Sequence, residues 1–485
     1  MASLFRWFDE RLNLTSARQA LLDREVPDRL TWWHTLGSAT LTVFIVQAIT
    51  GTALATYYSP SPEHAYESIR YLTVEVASGA LLRGVHHWAA SAMVILIVAH
   101  IIRVFSAGAY KYPREVNWAL GVVLFVFVMA FSFTGYLLPW DQKAYWATAV
   151  GTNMAGTTPV VGAALVALLR GGSELGAATL ARFYAFHVLW LPLLIGALIA
   201  LHLAMVVGQG IAARARVMQK DAPPRTNTPE YAEFYKRAYE ATKTRGVRFW
   251  PDIVGKDAVV SAGVVIVIFV LAAIRGAPLE GPADPTDTTY VPRPEWYFLP
   301  IYQLLKLVPG SAESLIAVGV PTVLLLVMLV LPFVDRSSRR YLLHRPVATV
   351  ALFGILGASG LLIGAAGKAP QHTVSAEDLA LNATERAGKV LYQAQQCGNC
   401  HKIAGEGGEV GPDLSTVGLR HSAGWLHSFI ESPSRFRPGT PMPAFGPPAM
   451  THQAIEELSQ YLSTLRGTSG AEPQFADTFP APQVP

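Results

Sequence analysis

Cysteine is nearly absent: two residues in 485, too few to complete a zinc site alongside a second Cys pair or to hold an iron–sulfur cluster of the chain's own. Charge is scarce as well. Charged residues make up 15% of the chain against 51% hydrophobic, and mean hydropathy is +0.32. The apolar residues fall in blocks of about 20 rather than being dispersed as in a soluble core, which makes this a membrane protein. The net charge of +4 is small, and nucleic acid is not among the expected partners; where the charge sits matters more. The opening "MASLFRWFDERLN" has charges and no early apolar run, so a cleaved secretory signal is not expected.

Seven blocks are long enough to cross about 30 Å of hydrocarbon: 32–56, 80–104, 116–138, 182–207, 257–275, 313–334 and 346–366. Lys and Arg crowd the stretch between blocks four and five (Arg214 to Lys256) and the turn between six and seven (Arg336, Arg339, Arg340, Arg345). The positive-inside rule puts both on the cytoplasmic face, together with the N-terminus. An odd number of spans then delivers residues after 367 to the outer face of a bacterial inner membrane.

There the composition turns soluble. The chain carries "QQCGNCHKI" at 395–403, in which Cys397 and Cys400 can form thioethers to a haem and His401 supplies an axial nitrogen. A redox disulfide or half a zinc site is the other reading of the motif. In "GTPMPAF", Met442 lies between two prolines and is the expected second axial ligand, a thioether that raises the reduction potential. Met450 is its rival, and reads better as a packing residue at the start of the last helix. Helical patterns at 384–396, 423–431 and 451–466 complete a small class I-like cytochrome c domain.

The second block carries His86 and His100, the fourth His187 and His202. Imidazoles inside hydrocarbon are costly and invite a functional reading. At 1.5 Å rise per residue the pairs are separated by about 21 and 22 Å, each near four helical turns, so each pair shares a face. Two stacked haems fit, His86 with His187 toward the outer face and His100 with His202 toward the inner. The fourth block's spacing is longer by one residue, a difference that a kink at Pro192 can absorb. Any single histidine could instead be a hydrogen-bonded bundle residue. Gly37 and Gly51 in the first block and Gly121 and Gly135 in the third repeat the spacing, as helices must that leave room for a broad plate; close packing at small residues is the alternative. Arg83 and Arg103 stand one turn beyond His86 and His100, placed for haem propionates or for snorkelling.

The histidine and glycine pairs, "TGYLLPWDQ" (134–142) and "RPEWYFLP" (293–300) together resemble the cytochrome b family of bc-type quinol-oxidising complexes. The longer spacing in the fourth block resembles the photosynthetic branch, whose four-span and three-span subunits are separate chains. The resemblance covers 1–366. It implies an all-α, seven-span transmembrane helix bundle, a four-helix haem-binding part plus three helices, followed by the cytochrome c domain. The expected divisions are 1–207 (four-span part), 208–255 (basic linker), 256–366 (three-span part with the PEWY loop), 367–383 (linker), 384–466 (cytochrome c) and 467–485 (Pro-rich tail).

The resemblance further implies two non-covalent, bis-histidine b haems beside the covalent c haem, and a quinol-oxidation pocket in which Glu295 takes the proton. Tyr136, Tyr297 and Tyr302 would line or adjoin that pocket; for each aromatic an interfacial belt position is the alternative. "TTPVVG" (157–162) resembles the short surface helix that covers it. Two departures stand out. Thr35 occupies the position where the photosynthetic branch has a haem-tethering cysteine, so no covalent haem is expected within the membrane, and Val207 replaces an arginine at the inner quinone site. The implied partners are a Rieske-type iron–sulfur protein on another chain, a soluble or membrane-bound cytochrome acceptor or terminal oxidase, the lipid membrane, and a second copy in a homodimeric, multi-subunit complex. The expected function is quinol oxidation coupled to proton translocation, with one electron leaving through the iron–sulfur partner and the other crossing through the b haems. A haem conduit that oxidises no quinol is the rival, and leaves Glu295 without a purpose. A transporter with a tethered cytochrome would need charge at mid-membrane, and the histidines are the only candidates.

Overall fold

The computed structural model describes residues 2–28, 30–244, 246–287, 290–367 and 376–467. The expected tail 467–485 therefore lies almost wholly outside the described residues, as does the middle of the expected linker 367–383. The chain divides into two compact units, 1–373 and 374–485.

The first unit is built on seven helices long and apolar enough to span a membrane: Trp32–Ala55, Gly79–Ser106, Glu115–Leu137, Ala177–Gln209, Phe249–Arg275, Leu315–Val334 and Pro346–Ala365. They are called spans one to seven. Most of their surface is apolar and outward-facing, as lipid-immersed helices require. Span seven has no buried residue, and span six only Pro332. The core lies where spans one, two, three and five meet, around Ala39, Val43, Val85, Ala89, Met93, Val128, Ile268 and Ala272. Small residues let the backbones approach there: a Cβ on Gly84 would stand 3.0 Å from that of Ala272.

Span four is not uniform. It opens as α-helix over Ala177–Ala185, passes through a π-helical turn at Phe186–Trp190 and resumes at Leu191–Gln209. The Leu191 N–H reaches back five residues to Phe186 O. A π turn holds one residue more than an α turn. It therefore accommodates the extra residue between His187 and His202, where the sequence pointed to a simple kink at Pro192. Pro192 follows directly, its missing N–H costing nothing beside a turn already re-bonded.

The basic stretch 208–255 is folded rather than loose. Thr228 caps the helix Pro229–Lys243 by accepting the Tyr231 N–H at 3.3 Å. Tyr231, Tyr235 and Tyr239, four apart, bury one face with Met218 and Ala213. A two-residue antiparallel ladder pairs Glu25–Val26 with Val247–Arg248.

The four-span and three-span parts are locked together on the side of this stretch. Arg340 and Arg345, counted above among surface-facing cations, are 3% and 5% exposed. Arg340 donates to Gly108 O (2.9 Å), Tyr112 O (2.7 Å) and the Tyr231 hydroxyl, and Arg345 to the Tyr110 hydroxyl (2.8 Å). The fully buried Lys111 donates to Asp335 (2.7 Å) and to the carbonyls of Ser337 and Arg339 (both 2.8 Å). Burial pushes the Lys111 ammonium down to about 8, against the opposing pull of Asp335. Burial also raises the Asp335 carboxyl, but hydrogen bonds from Lys111 and Tyr110 outweigh it and leave the group below its ordinary value. Its contribution to stability is present above the ordinary carboxylate range and is lost as pH falls through the lowered value.

The second unit is a small helical domain. Helices Ala383–Ala394, Ala423–Glu431 and His452–Thr464 pack around Val417, Leu426, Ile430, Ile455, Leu458 and Leu462. Gly388 lets the first and last helices touch, since a Cβ there would run into the Glu457 backbone. Asn382 and Glu385 form a reciprocal cap on the first helix. The only regular β structure here among the described residues is the two-residue pair Lys402–Ile403 with Glu406–Gly407. The observed class is the all-α one expected.

Asp335→Leu alone strands the Lys111 ammonium and is expected to cost about 3–5 kcal/mol. Lys111→Met combined with Asp335→Leu should cost less than either change alone, as read by thermal unfolding of the purified protein followed by circular dichroism.

Candidate functional site

His86 on span two and His187 on span four face each other with ring centroids 6.4 Å apart and planes at 74°. That separation lies within the range of edge-to-face ring pairs, and it would also take a metal between two ring nitrogens bonded at about 2 Å each. Local bonding fixes which nitrogen faces the gap. The Thr50 hydroxyl gives its proton to Val46 O (2.7 Å), so its oxygen accepts from His86 Nδ1 at 2.8 Å. The Thr134 hydroxyl donates to Phe131 O (3.0 Å) and, with that carbonyl, receives His187 Nδ1 at 3.2 Å. Each Nδ1 thus carries the hydrogen, and each Nε2 keeps a lone pair for a metal.

His100 on span two and His202 on span four are the second expected pair, each ring backed by its own glycine. The Nδ1 atom of His100 is buried without a hydrogen-bond partner, and the His202 ring interacts with the Asn117 backbone. Burying a polar atom unpaired is costly, so His100 is less tightly oriented by protein than the outer pair.

Each of the four glycines backs one of these rings. A Cβ on Gly51 would stand 3.1 Å from His86 Cε1, one on Gly37 3.3 Å from His100 Cε1, and one on Gly121 3.7 Å from His202 Cε1; on Gly135 it would overlap the His187 ring. The glycines lie at the depths expected, each directly behind an imidazole. Arg83 is 8% exposed and does not snorkel: it donates to Ala277 O (2.9 Å) and Pro278 O (2.5 Å), tying span two to the segment after span five. Arg103 lies half-buried one turn beyond His100. Thr35 is buried, bonded to Trp32 O at 2.7 Å. Val207 lines a cavity of about 590 Å³ with Gln209, Tyr112, Tyr235, Tyr239 and Arg24.

On the far side from the linker, Glu295 stands just before the short turn Trp296–Phe298. Its carboxylate accepts from Lys143 Nζ at 2.7 Å, with the two side chains 19% and 20% exposed. The Lys143 ammonium also lies 5.4 Å from the Tyr136 ring centre. The Tyr136 hydroxyl donates to Arg293 O at 3.4 Å. Burial, and after it the Glu295 charge, raise the Tyr297 phenol above its ordinary value, keeping it neutral. Tyr302 instead meets Lys306, 4.2 Å from its ring centre; among the described residues no hydrogen bond joins it to Glu295. The segment 157–162 is a turn, not a helix. Val160 at φ +68° breaks the chain between Gln142–Gly156 and Gly162–Arg170.

The frame around Lys143 is rigid. Asp141, buried, accepts the N–H of Ala144 (2.8 Å) and of Glu280 (3.0 Å), and Gln142 N donates to Gly281 O at 2.9 Å. Burial raises the Asp141 carboxyl, against the pull of those two N–H groups. Lys143 follows directly after "TGYLLPWDQ", and reading the motif alone misses it.

In the second unit, Cys397 and Cys400 are free thiols at a tight turn, Cys397–Asn399. His401 Nδ1 donates to Pro412 O at 2.9 Å, again leaving Nε2 its lone pair. A Cβ on Gly411 would stand 2.5 Å from the His401 ring, so "GP" at 411–412 serves the imidazole by both its absent and its bonding atoms. Burial, with Cys400 adding, raises the Cys397 thiol, which disfavours an activated redox thiolate. Among the described residues no three His, Cys, Asp or Glu side chains converge on a metal position. Met450 is buried in the core and Met442 is half-buried at its edge.

Three families match consecutive parts of the chain: "Cytochrome b/b6/petB" over 21–210, "Cytochrome b(C-terminal)/b6/petD" over 282–381 and "Cytochrome c" over 385–466. Cytochrome b6 of Synechococcus elongatus is 42% identical over 212 residues, covering 44% of this chain and 99% of that protein. The menaquinol:cytochrome c reductase cytochrome b subunit of Geobacillus thermodenitrificans is 44% identical over 217 residues, covering 43% and 97%. A solved hyperthermophilic respiratory Complex III matches with a TM-score of 0.65 at 27% identity, over 76% of this chain and 92% of that one. The chain therefore belongs to the cytochrome b/b6 family, its four-span and three-span parts continuous in one polypeptide and followed by a cytochrome c domain.

Proposed function

We propose that this protein is the quinol-oxidising core of a bc-type complex in a bacterial inner membrane, passing electrons to a cytochrome c-like acceptor with release of protons outside. The observation that carries this is the Glu295 carboxylate, four-fifths covered and ion-paired to Lys143 at 2.7 Å. Its neighbour Trp296 donates to Ser91 on span two at 3.3 Å, which brings this acceptor to the helix that carries His86. The name of the Geobacillus relative supports menaquinol as donor and cytochrome c as acceptor, and that of the solved complex supports a respiratory setting.

His86 with His187, and His100 with His202, would hold two b haems, and Cys397, Cys400, His401 and Met442 one c haem. When bound, these groups supply one-electron transfer. The protein's part is orientation and proton handling. Thr50, Thr134 and Pro412 O fix the imidazole tautomers, and the glycines keep the rings unobstructed. Glu295 accepts a proton from a quinol hydroxyl, with Tyr136 and Tyr297 as neutral walls of its pocket; Tyr302 belongs to the rim. The basic linker faces the cytoplasm and the cytochrome c domain the outside. An iron–sulfur protein of Rieske type is a separate subunit, since both cysteines are committed, and the complex is a homodimer with further subunits.

The purified complex should show two b haems per c haem and reduce cytochrome c with quinol. Glu295→Gln should lower that turnover about a hundredfold with all haems retained; unchanged turnover overturns the reading. Glycine substitutions should follow the distances. Gly135→Ala should lose b haem most severely, Gly51→Ala and Gly37→Ala less, and Gly121→Ala least, as read from reduced-minus-oxidised spectra. Met442→Leu should lower the c-haem potential, and Met450→Leu should leave it in place.

A further inference from the structure

Lys143 is in an unexpected place. It is the second residue of the helix Gln142–Gly156, where the unpaired N–H groups and the helix dipole disfavour a cation. The residue ahead of that helix follows the usual rule, Asp141 capping it. Lysines also normally carry their ammonium to water, yet the Lys143 side chain is four-fifths covered and turned inward. Both local preferences are overridden by one contact, the 2.7 Å ion pair with Glu295. A residue that breaks local rules for one long-range partner marks a functional position more often than a structural one.

We propose that Lys143 is the positioning residue for Glu295, holding its carboxylate ionised and aimed until a quinol hydroxyl takes over as donor. This rests on the reading of Glu295 as the proton acceptor. In the transfer the quinol O–H bond breaks, the Glu295 O–H bond forms, and no electron moves to or from either side chain. The product leaves the Lys143 cation facing a neutral acid. That loss of counter-charge favours onward release of the proton and return of the ion pair.

The charged and titratable groups around the pair come from several elements. They are Arg83 and His87 on span two, Tyr136 on span three, Asp141 at the head of the helix, and Tyr297 on the following turn. Lys143 alone among them makes a direct ion pair with Glu295 among the described residues. An opposite charge at this range favours the ionised form of a carboxyl by a factor of about ten to a thousand.

The test is the pH profile of kcat/KM for quinol oxidation by the purified complex. Lys143→Met should move the acidic limb to higher pH by about one to three. Between the original and the displaced limb, turnover should fall below the parent's roughly tenfold for each pH unit below the displaced limb, and it should approach the parent rate at high pH. Lys143→Arg, which keeps the charge, should hold the limb near its original position. The b-haem spectrum serves as the control for folding; should Lys143→Met lose haem, Lys143→Gln provides the comparison. A limb unmoved in Lys143→Met, or a loss equal at every pH, overturns the proposal while leaving Glu295 as acceptor, provided Glu295→Gln is crippled and lacks that limb. If Glu295→Gln keeps both rate and limb, the acceptor reading itself fails and this inference fails with it.

Discussion

An imidazole inside hydrocarbon needs a partner for each ring nitrogen, and the first unit is organised around that demand. Spans two and four supply the rings; spans one and three supply what stands behind them. For the outer pair that backing is a threonine one residue before each glycine, Thr50–Gly51 and Thr134–Gly135. The hydroxyl takes the Nδ1 hydrogen while the glycine gives the ring its space. Because each hydroxyl is already spent on its own helix, it can only accept from the ring, and the tautomer follows without further help. The inner pair has the glycines but not the hydroxyls: His100 Nδ1 stays unpaired, and the His202 ring has the Asn117 backbone. The two levels of the bundle therefore differ in how firmly protein alone sets the rings.

This cradle depends on the helices staying in register, and the chain spends most of its buried charge on register. Lys111, Asp335, Arg340 and Arg345 bind loop carbonyls and one another where the turn between spans two and three meets the turn between spans six and seven. Arg83 and Asp141 do the same on the opposite side. In a membrane, apolar burial cannot drive one helix against another. Polar clamps at the two ends, with small residues such as Gly84 between, are the means left.

The elements most legible in sequence are those written as repeats of one residue type. Seven apolar blocks correspond to the seven helices, and the composition change beyond the last marks the second compact unit. The paired histidines and glycines mark the depths at which the structure places them. What escapes is whatever depends on an angle or a long-range partner. Spacing alone does not distinguish a kink from the π turn at Phe186–Trp190, because both accommodate one residue. It does not show that Arg340 and Arg345 point inward, since an arginine near a membrane face looks alike whether solvated or bonded to carbonyls. The segment 157–162 reads as a helix by resemblance although Pro159 sits in it, and Lys143 is easily passed over because it follows the motif instead of lying inside it.

The contrast between holding and handling runs through the fold. The outer imidazoles, and His401 in the second unit, are set by hydrogen bonds to groups anchored in the backbone, threonines bonded to their own helix and a proline-borne carbonyl. Such over-determined groups lose little entropy when a ligand arrives, which is what a permanently held cofactor requires. Glu295 is fixed differently, by one ion pair between two flexible side chains at the edge of cover. That contact is strong enough to aim a carboxylate and weak enough to yield to a competing hydroxyl, since partly exposed pairs are stabilised only modestly by their Coulomb attraction. A proton acceptor locked as tightly as His187 would have no bond free for its substrate. The looseness of this one pair within an otherwise over-tied frame therefore distinguishes the place where molecules are exchanged from the places where they are kept.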